Sequence, residues 1–155
     1  MNIELKGFKH YARLSEETVA FDANLYVDGK KVGTACNRGT GGENSIYVPS
    51  DLYAKLDAYA KALPPVQTSY GKFPMSLDLL IGLKVEELLR VKEAAQLNKR
   101  FAKKAAEAKA LGQVFFTIEY EGTTVEGRCS PASVKDNIAK AKAKYGENGK
   151  ETVFA

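Results

Sequence analysis

A long stretch without proline, from Ser76 to Leu111, constrains the fold more than any other part of this sequence. It contains a single glycine, Gly82, and is otherwise rich in leucine, alanine, glutamate and lysine, which favour helices. Ser76 is a typical N-cap residue, and Gly112 is a typical helix stop. At about 1.5 Å per residue such a helix is on the order of 50 Å long, which is too long for one small core to cover.

The two parts of this predicted helix differ in composition. The first part carries Leu77, Leu80, Leu83 and Leu88, whereas the second part is rich in alanine and lysine. We therefore expect the first part to be buried, and the second part to protrude or to pack against a second copy of the chain. The sequence thus predicts a homo-oligomer that forms through the long helix.

Two strands and a helix are predicted on the N-terminal side of the long helix. Residues 19–27 alternate between apolar and polar positions, as in a strand with one buried face. The dipeptide Asp28-Gly29 then predicts a tight hairpin turn, after which residues 31–36 return antiparallel to the first strand. Ser50 is a typical N-cap residue and opens a helix that runs to about Leu63, where two prolines end it.

The C-terminal side repeats this order. A strand begins at Gln113, Glu121-Gly122 predicts its turn, and Ser130-Pro131 opens a helix to Tyr145. After each acidic-glycine turn, a valine and a cysteine follow at the same spacing, which indicates either duplication or chance.

The predicted fold class is α+β: one domain over 1–155 with antiparallel sheet. Two β-hairpin-plus-helix units, 1–65 with the glycine-rich loop and 113–146, are linked by the long helix 76–111.

Composition and motifs argue against several classes of function. The 155 residues are 45% hydrophobic and 27% charged, as in ordinary globular proteins, and no apolar stretch approaches the roughly 20 residues that span a bilayer. Cys36, Cys129 and His10 have no zinc-site spacing, so we predict reduced thiols, a cytoplasmic protein, and neither metal nor cofactor. Because no catalytic motif occurs either, the sequence favours binding over catalysis.

The glycine-rich loop from Asn37 to Ser45 is the first candidate binding site. Its three glycines allow backbone amides to point toward one anion, beside the charge of Arg38. It lacks the ending of a phosphate-binding P-loop, and the alternative is a mobile surface loop. The residues predicted to bind a ligand are Asn37, Arg38, Gly39, Thr40, Gly41, Gly42 and Tyr47.

Four tyrosines, Tyr47, Tyr53, Tyr59 and Tyr70, cluster near the loop in sequence. Tyrosine is favoured at interfaces, but in a chain without tryptophan it also fills cores. We expect Tyr59 to belong to the core and Tyr47 to be exposed.

Cations concentrate between Arg90 and Lys109, where seven lysines and arginines face two glutamates. A positive stripe can bind the phosphates of a nucleic acid or an acidic protein, and Phe101 within it would stack on a base. The alternative is a solvated helix face. The predicted basic patch consists of Lys92, Lys99, Arg100, Lys103 and Lys104.

Several segments of the first 65 or so residues carry a resemblance to a known family. They are Ser15-Glu16-Glu17-Thr18, the strand pair FDANLYVDGKKVGTA at 21–35, the loop NRGTGG at 37–42 and the helix end LDAYAKALPP at 56–65. Together they resemble small accessory proteins of tailed bacteriophages and prophages. The resemblance implies a phage protein in the host bacterial cytosol and supplies no catalytic residues.

Small phage proteins of that kind often inhibit host defence, and two hypotheses follow. The first is a non-enzymatic counter-defence protein that binds an anionic small molecule, such as a nucleotide signal, through the glycine-rich loop. The second is an inhibitor that binds a host defence protein or nucleic acid through the basic helix. An enzyme that degrades a nucleotide signal is a third class.

Overall fold

The computed structural model describes residues 1–68 and 71–154, and it confirms the predicted α+β class. The helices within these residues are α1 (Ser50–Lys61), α2 (Leu77–Ala110) and α3 (Val134–Tyr145). The strands are β1 (Ile3–His10), β2 (Phe21–Val27), β3 (Lys30–Asn37), β4 (Ser45–Tyr47), β5 (Val66–Thr68), β6 (Gly71–Phe73), β7 (Val114–Tyr120), β8 (Thr123–Cys129) and β9 (Lys150–Phe154).

All strand pairs are antiparallel, and they form a four-stranded sheet β1-β2-β3-β4, a pair β5-β6 and a three-stranded sheet β8-β7-β9. Both predicted hairpin turns are confirmed. Asp28 and Gly29 have φ of 48° and 81°, and Glu121 and Gly122 have φ of 45° and 77°. Positive φ at two consecutive residues is what the tightest hairpin turn requires.

Contacts between residues divide the chain into two compact units, Met1–Lys92 and Glu93–Ala155. The sequence predicted one domain, with its hairpin units joined by a separate helix. Instead the boundary falls inside α2, because each part of that helix shares a core with a different sheet.

The core of the first unit lies between one face of the four-stranded sheet and the helices. Phe21 and Leu25 of the sheet are buried against Leu56 of α1 and against Leu77 and Ile81 of α2. Side chains alternate along a strand, so the intervening residues point to the other face. Asp22, Thr34 and Tyr47 are exposed there, and this outer face is therefore open to solvent.

The central strand of the sheet in the second unit, β7, is buried on both faces. Phe115 of β7 packs against Phe101 and Ala108 of α2, whereas Phe116 packs with Ile138 of α3. We expected the second part of α2 to protrude or to meet a second copy of the chain, and that expectation is wrong. The helix is covered by its own sheet, so the observation that suggested a homo-oligomer no longer supports one.

The helix starts agree with the predictions only in part. Ser50 is the first residue of α1, with Pro49 at the cap position and no side-chain cap. The cap of α2 is confirmed, since the Leu79 amide donates to Ser76 Oγ at 3.1 Å. A 3-10 turn, Pro131–Ser133, precedes α3.

The pair β5-β6 lies between α1 and α2 in the chain, where the sequence predicted neither helix nor strand. Over residues 1–68 and 71–154, none of the helices has the length and apolar character needed to cross a membrane.

Candidate functional site

The side chain of Asn37, at the end of β3, organises the glycine-rich loop. Its Oδ1 accepts hydrogen bonds from Thr18 Oγ1 and from the Gly39 amide, both at 2.8 Å. Its Nδ2 donates to the Gly42 carbonyl at 3.4 Å and to Asn44 Oδ1 at 3.3 Å. Asn37 is only 9% exposed, so its polar atoms are committed to the loop itself.

The buried Gly39 joins the loop to the segment before β2. Its carbonyl accepts the backbone amides of Glu16 and Glu17 at 2.9 Å each, and that of Thr18 at 3.2 Å. Its φ is +89°, and a Cβ atom there would lie 1.9 Å from the Leu14 carbonyl oxygen. Only glycine fits at this crossing, because the neighbouring atom belongs to the backbone and cannot rotate away.

Three amides of the glycine-rich loop are not free to bind an anion. The Gly39 amide donates to Asn37, the Gly41 amide donates to Thr18 Oγ1 at 3.3 Å, and the Asn44 amide donates to Asp78 Oδ1 at 2.7 Å. These donors are already satisfied within the protein. The loop is thus a braced structure, tied to the segment before β2 and to the first turn of α2.

A cleft of about 530 Å³ lies beside the loop within the first unit. We call it the acidic cleft because Glu16, Glu17, Asp78 and Glu86 line it, and its lining among the described residues includes no lysine or arginine. Four carboxylates repel an anion, so this cleft does not suit the predicted ligand. Within residues 1–68 and 71–154, no three acidic, histidine or cysteine side chains come close enough to hold a metal ion.

Arg38 is exposed and does not line the acidic cleft. It lines a separate space of about 520 Å³, the Arg38 hollow, together with Tyr11, Leu14, Asp22 and Cys36. The Tyr11 hydroxyl donates to Asp22 Oδ2 at 2.8 Å, and this hydrogen bond raises the pKa of Tyr11 above its usual value. The same bond holds the tyrosine ring at the wall of the hollow.

Tyr47 lines a third space of about 320 Å³, the Tyr47 groove, on the outer face of the four-stranded sheet. As predicted, Tyr47 is exposed, to 62%. It stands opposite Thr34 in the sheet register, and Gly33 permits the approach of its strand, since a Cβ there would lie 2.0 Å from the Tyr47 carbonyl oxygen. The remaining polar walls include Lys9 and Asn24.

Asp22 and Cys36 line both the Arg38 hollow and the Tyr47 groove, which therefore adjoin. In the register of the sheet, Lys9, Asp22 and Cys36 are cross-strand neighbours. Sequence analysis had singled out Arg38 and Tyr47 but missed Lys9 and Tyr11. The alternation along β2 and the hairpin turn at Asp28-Gly29 are signals from which Asp22 and Cys36 could have been placed on one face.

The other sequence-predicted residues of the region have simpler surroundings. Thr40 and Gly42 are exposed. Tyr59 packs against the core of the first unit, as predicted, and Tyr53 is 41% exposed on α1. Tyr70 lies outside the described residues.

The predicted basic patch is divided and partly neutralised. Lys92 belongs to the first unit and the other four cations to the second. Arg100 and Lys104 both pair with Glu126 of β8. Lys99 and Lys103 are exposed, and neither forms an ion pair in the part of the chain that the structure describes.

Phe101 does not stack on a base, contrary to the sequence hypothesis. It is 4% exposed, and its ring centroid lies 5.8 Å from that of Phe115 and 6.0 Å from that of Phe154. In the second unit, the face of α2 that carries Phe101 packs on the sheet, whereas Lys99 and Lys103 are exposed.

Replacing Glu126 by glutamine is expected to lower stability in a pH-dependent way. The hydrogen bond from Lys104, with the charges of Lys104 and Arg100, lowers the pKa of Glu126. A carboxyl group with a lowered folded-state pKa stabilises the fold above its unfolded pKa, and that contribution is lost as the pH falls through the folded value. Because the pair is partly exposed, we expect no more than about 1 kcal/mol near neutral pH and no difference in strong acid.

Urea unfolding of E126Q and wild type at neutral and acidic pH measures this difference. Glu147→Gln is the control, because that side chain is exposed and has no ion pair among the described residues. An equal loss at both pH values would show that the charge of Glu126 is not the cause.

Comparison with known proteins found no matching family model, no matching curated protein and no matching solved structure. We therefore infer function from the side chains that the fold brings together. The resemblance of the first 65 residues to phage proteins stays a prediction.

Proposed function

We propose that the protein is a non-enzymatic binding protein for a nucleotide-type anion, and that the ligand binds on the outer face of the four-stranded sheet. The observation that carries the proposal is the adjoining of the Arg38 hollow and the Tyr47 groove. Arg38 lines one and Lys9 the other, and each space also has an exposed tyrosine. Cations beside aromatic rings match a ligand that combines phosphates with bases.

Each group has a plain chemical role in this proposal. The Arg38 guanidinium donates paired hydrogen bonds to phosphate oxygens, and the Lys9 ammonium adds a compact positive charge. The rings of Tyr11 and Tyr47 stack on bases, and such stacking does not depend on which base is present. Asp22, whose Oδ2 already accepts from Tyr11, has a second oxygen that accepts a hydrogen bond from a sugar hydroxyl or a base amine.

The charge distribution of the first unit also favours the outer face. The acidic cleft repels phosphate, and the loop amides that we expected to bind it are satisfied internally. Of the predicted ligand-binding residues, Arg38 and Tyr47 keep a direct role. Asn37, Gly39 and Gly41 act by bracing the loop that carries Arg38.

In a cell, such a protein would act by sequestering its ligand. The resemblance of the first 65 residues to phage accessory proteins supports a counter-defence role in the bacterial cytosol, against a nucleotide signal. Inhibition of a host protein or nucleic acid through the basic helix is the alternative, and the exposed Lys99 and Lys103 favour it. The pairing of Arg100 and Lys104 with Glu126 weakens that alternative.

Arg38→Ala and Lys9→Ala are each expected to weaken nucleotide binding by about tenfold or more, as the loss of a hydrogen bond to a charged group implies. Isothermal titration calorimetry with a panel of nucleotides measures the affinities. The control is Lys55→Ala, which removes an exposed lysine of α1 that forms no ion pair in the described part of the chain. Absence of binding to every nucleotide, or binding that neither substitution changes, would contradict the proposal.

If binding falls with a Lys99→Ala, Lys103→Ala double variant and not with Arg38→Ala, the alternative through the basic helix is correct. The two outcomes are distinct because the substituted residues belong to different units of the chain.

A further inference from the structure

We infer that the ligand is a single-stranded oligonucleotide of at least two linked nucleotides, and that a mononucleotide fills only half of the site. This inference rests on the proposed function and specifies its ligand. It starts from a repetition: the Arg38 hollow pairs Arg38 with Tyr11, and the Tyr47 groove pairs Lys9 with Tyr47. One cation can bind one phosphate, and one aromatic ring can stack on one base.

The two spaces are of the size that a small ligand occupies, and they are arranged in sequence along the sheet. Their volumes are about 520 and 320 Å³, within the usual range for small-molecule pockets. Arg38 directly follows the end of β3. Tyr47 is on β4 and is paired with Thr34 of β3. Residues 34 and 38 are four positions apart, which is roughly 13 Å along a strand.

The two spaces adjoin at Asp22 and Cys36 and each has its own tyrosine, so a chain of linked nucleotides can place one base in each space. The polar side chains between the rings also suit such a chain. Asn24 and Thr34 line the Tyr47 groove and offer hydrogen bonds to base edges or sugars. Asp22 lies where the two spaces adjoin, and Lys9 is its cross-strand neighbour. The positive charge of Lys9 therefore lies beside the Asp22 carboxylate at the point where a phosphate of the oligonucleotide would pass.

The Tyr11 ring and the Tyr47 backbone are held in place before any ligand arrives. The Tyr11 ring is held by its hydrogen bond to Asp22. The Tyr47 backbone is held by the pairing of β4 with β3, in which Gly33 leaves room for the Tyr47 carbonyl. A platform that is already ordered loses little entropy on binding, and this favours stacking of consecutive bases.

Affinity should therefore rise with the number of linked nucleotides. We expect an oligothymidylate several nucleotides long to bind at least about tenfold more tightly than thymidine monophosphate, because each stacked base contributes separately. Tyr47→Ala should remove most of this gain, so that the variant binds the oligonucleotide little more tightly than it binds the mononucleotide. The control is Tyr53→Ala, which removes a tyrosine of similar exposure on α1.

Salt dependence gives a second measurement that does not rely on a variant. The slope of log affinity against log salt should become steeper by about 0.7 for each further phosphate that is bound. Fluorescence anisotropy of labelled oligothymidylates, with calorimetry for the mononucleotide, supplies both quantities.

The outcomes separate the two proposals. If neither mononucleotide nor oligonucleotide binds, the proposed function fails together with this inference. If the mononucleotide binds through Arg38 and affinity does not rise with length, or if Tyr47→Ala leaves oligonucleotide affinity unchanged, the function stands and the oligonucleotide inference is overturned.

Discussion

Gly39→Ala should destabilise the first unit by about 2–5 kcal/mol, and two causes contribute. Alanine is unfavourable in the left-handed conformation at this position, and its Cβ would overlap with neighbouring atoms. The φ of Gly39 is +89°, and the new Cβ would lie 1.9 Å from the Leu14 carbonyl oxygen and 2.9 Å from the Ala20 Cβ. Relief would require the loop and the segment before β2 to move apart. That movement would break the hydrogen bonds that the Gly39 carbonyl accepts.

Gly42→Ala is the matched control for this prediction. Gly42 has a φ of +86°, and a Cβ there meets no atom within 4 Å. It should therefore cost only the conformational part, about 1–2 kcal/mol. Hydrogen exchange of peptides from Met1–Lys92, combined with urea unfolding, measures both variants, and equal losses would show that the crossing with Leu14 is not tightly packed.

The same pair of variants connects the loop to binding. If the loop positions Arg38, the folded fraction of Gly39→Ala should bind nucleotides more weakly, whereas Gly42→Ala should retain the wild-type affinity. Normal binding by folded Gly39→Ala would mean that Arg38 reaches its ligand without the bracing of the loop.

Local signals in the sequence were sufficient for both hairpin turns and for the two ends of α2. The turns at Asp28-Gly29 and Glu121-Gly122 were predicted correctly because a tight hairpin depends on the residues of the turn itself. The cap at Ser76 and the stop at Gly112 were predicted for the same reason. Gly112 has a φ of +67°, which suits the end of a helix.

The candidate site could be predicted only in part, because it depends on contacts between distant segments. Glycines in the loop correctly indicated an unusual backbone, but Thr18 and Asp78 satisfy its amides from 23 and 34 positions away in the sequence. No local pattern in the sequence predicts such distant hydrogen-bond partners. The residues that do face outward, Lys9 and Tyr11, come from β1 and its end, and only the register of the sheet brings them near Arg38.

We expected the second part of α2 to protrude or to meet a second copy of the chain, and this expectation was wrong for a different reason. Residues 114–118 are all buried, a continuous run that is typical of a strand covered on both faces. We did not interpret this run as a strand covered on both faces, and the second part of α2 was therefore left without a partner. Had the run been interpreted as buried on both sides, it would have predicted a helix on each face of the sheet.

Phe101→Ala follows from that corrected packing, and we expect it to destabilise the second unit by about 3–5 kcal/mol, as for other buried phenylalanines. The ring is 4% exposed and contacts Phe115 and Phe154, whose centroids lie 5.8 and 6.0 Å away. The cavity left by alanine lies between a helix and a sheet that both have regular backbones, so it closes only partly. Leu111→Ala, at a residue 69% exposed just beyond α2, is the matched control and should change stability by no more than about 0.5 kcal/mol.

Hydrogen exchange of peptides from Glu93–Ala155 and urea unfolding measure this loss. Oligonucleotide binding at a temperature where the variant stays folded provides the decisive contrast. A core residue affects binding only through the folded fraction, so folded Phe101→Ala should bind as the wild type does. If instead Phe101→Ala is as stable as Leu111→Ala and loses nucleic-acid affinity, the ring is available to a base and the second unit, rather than the outer face of the four-stranded sheet, is the binding surface.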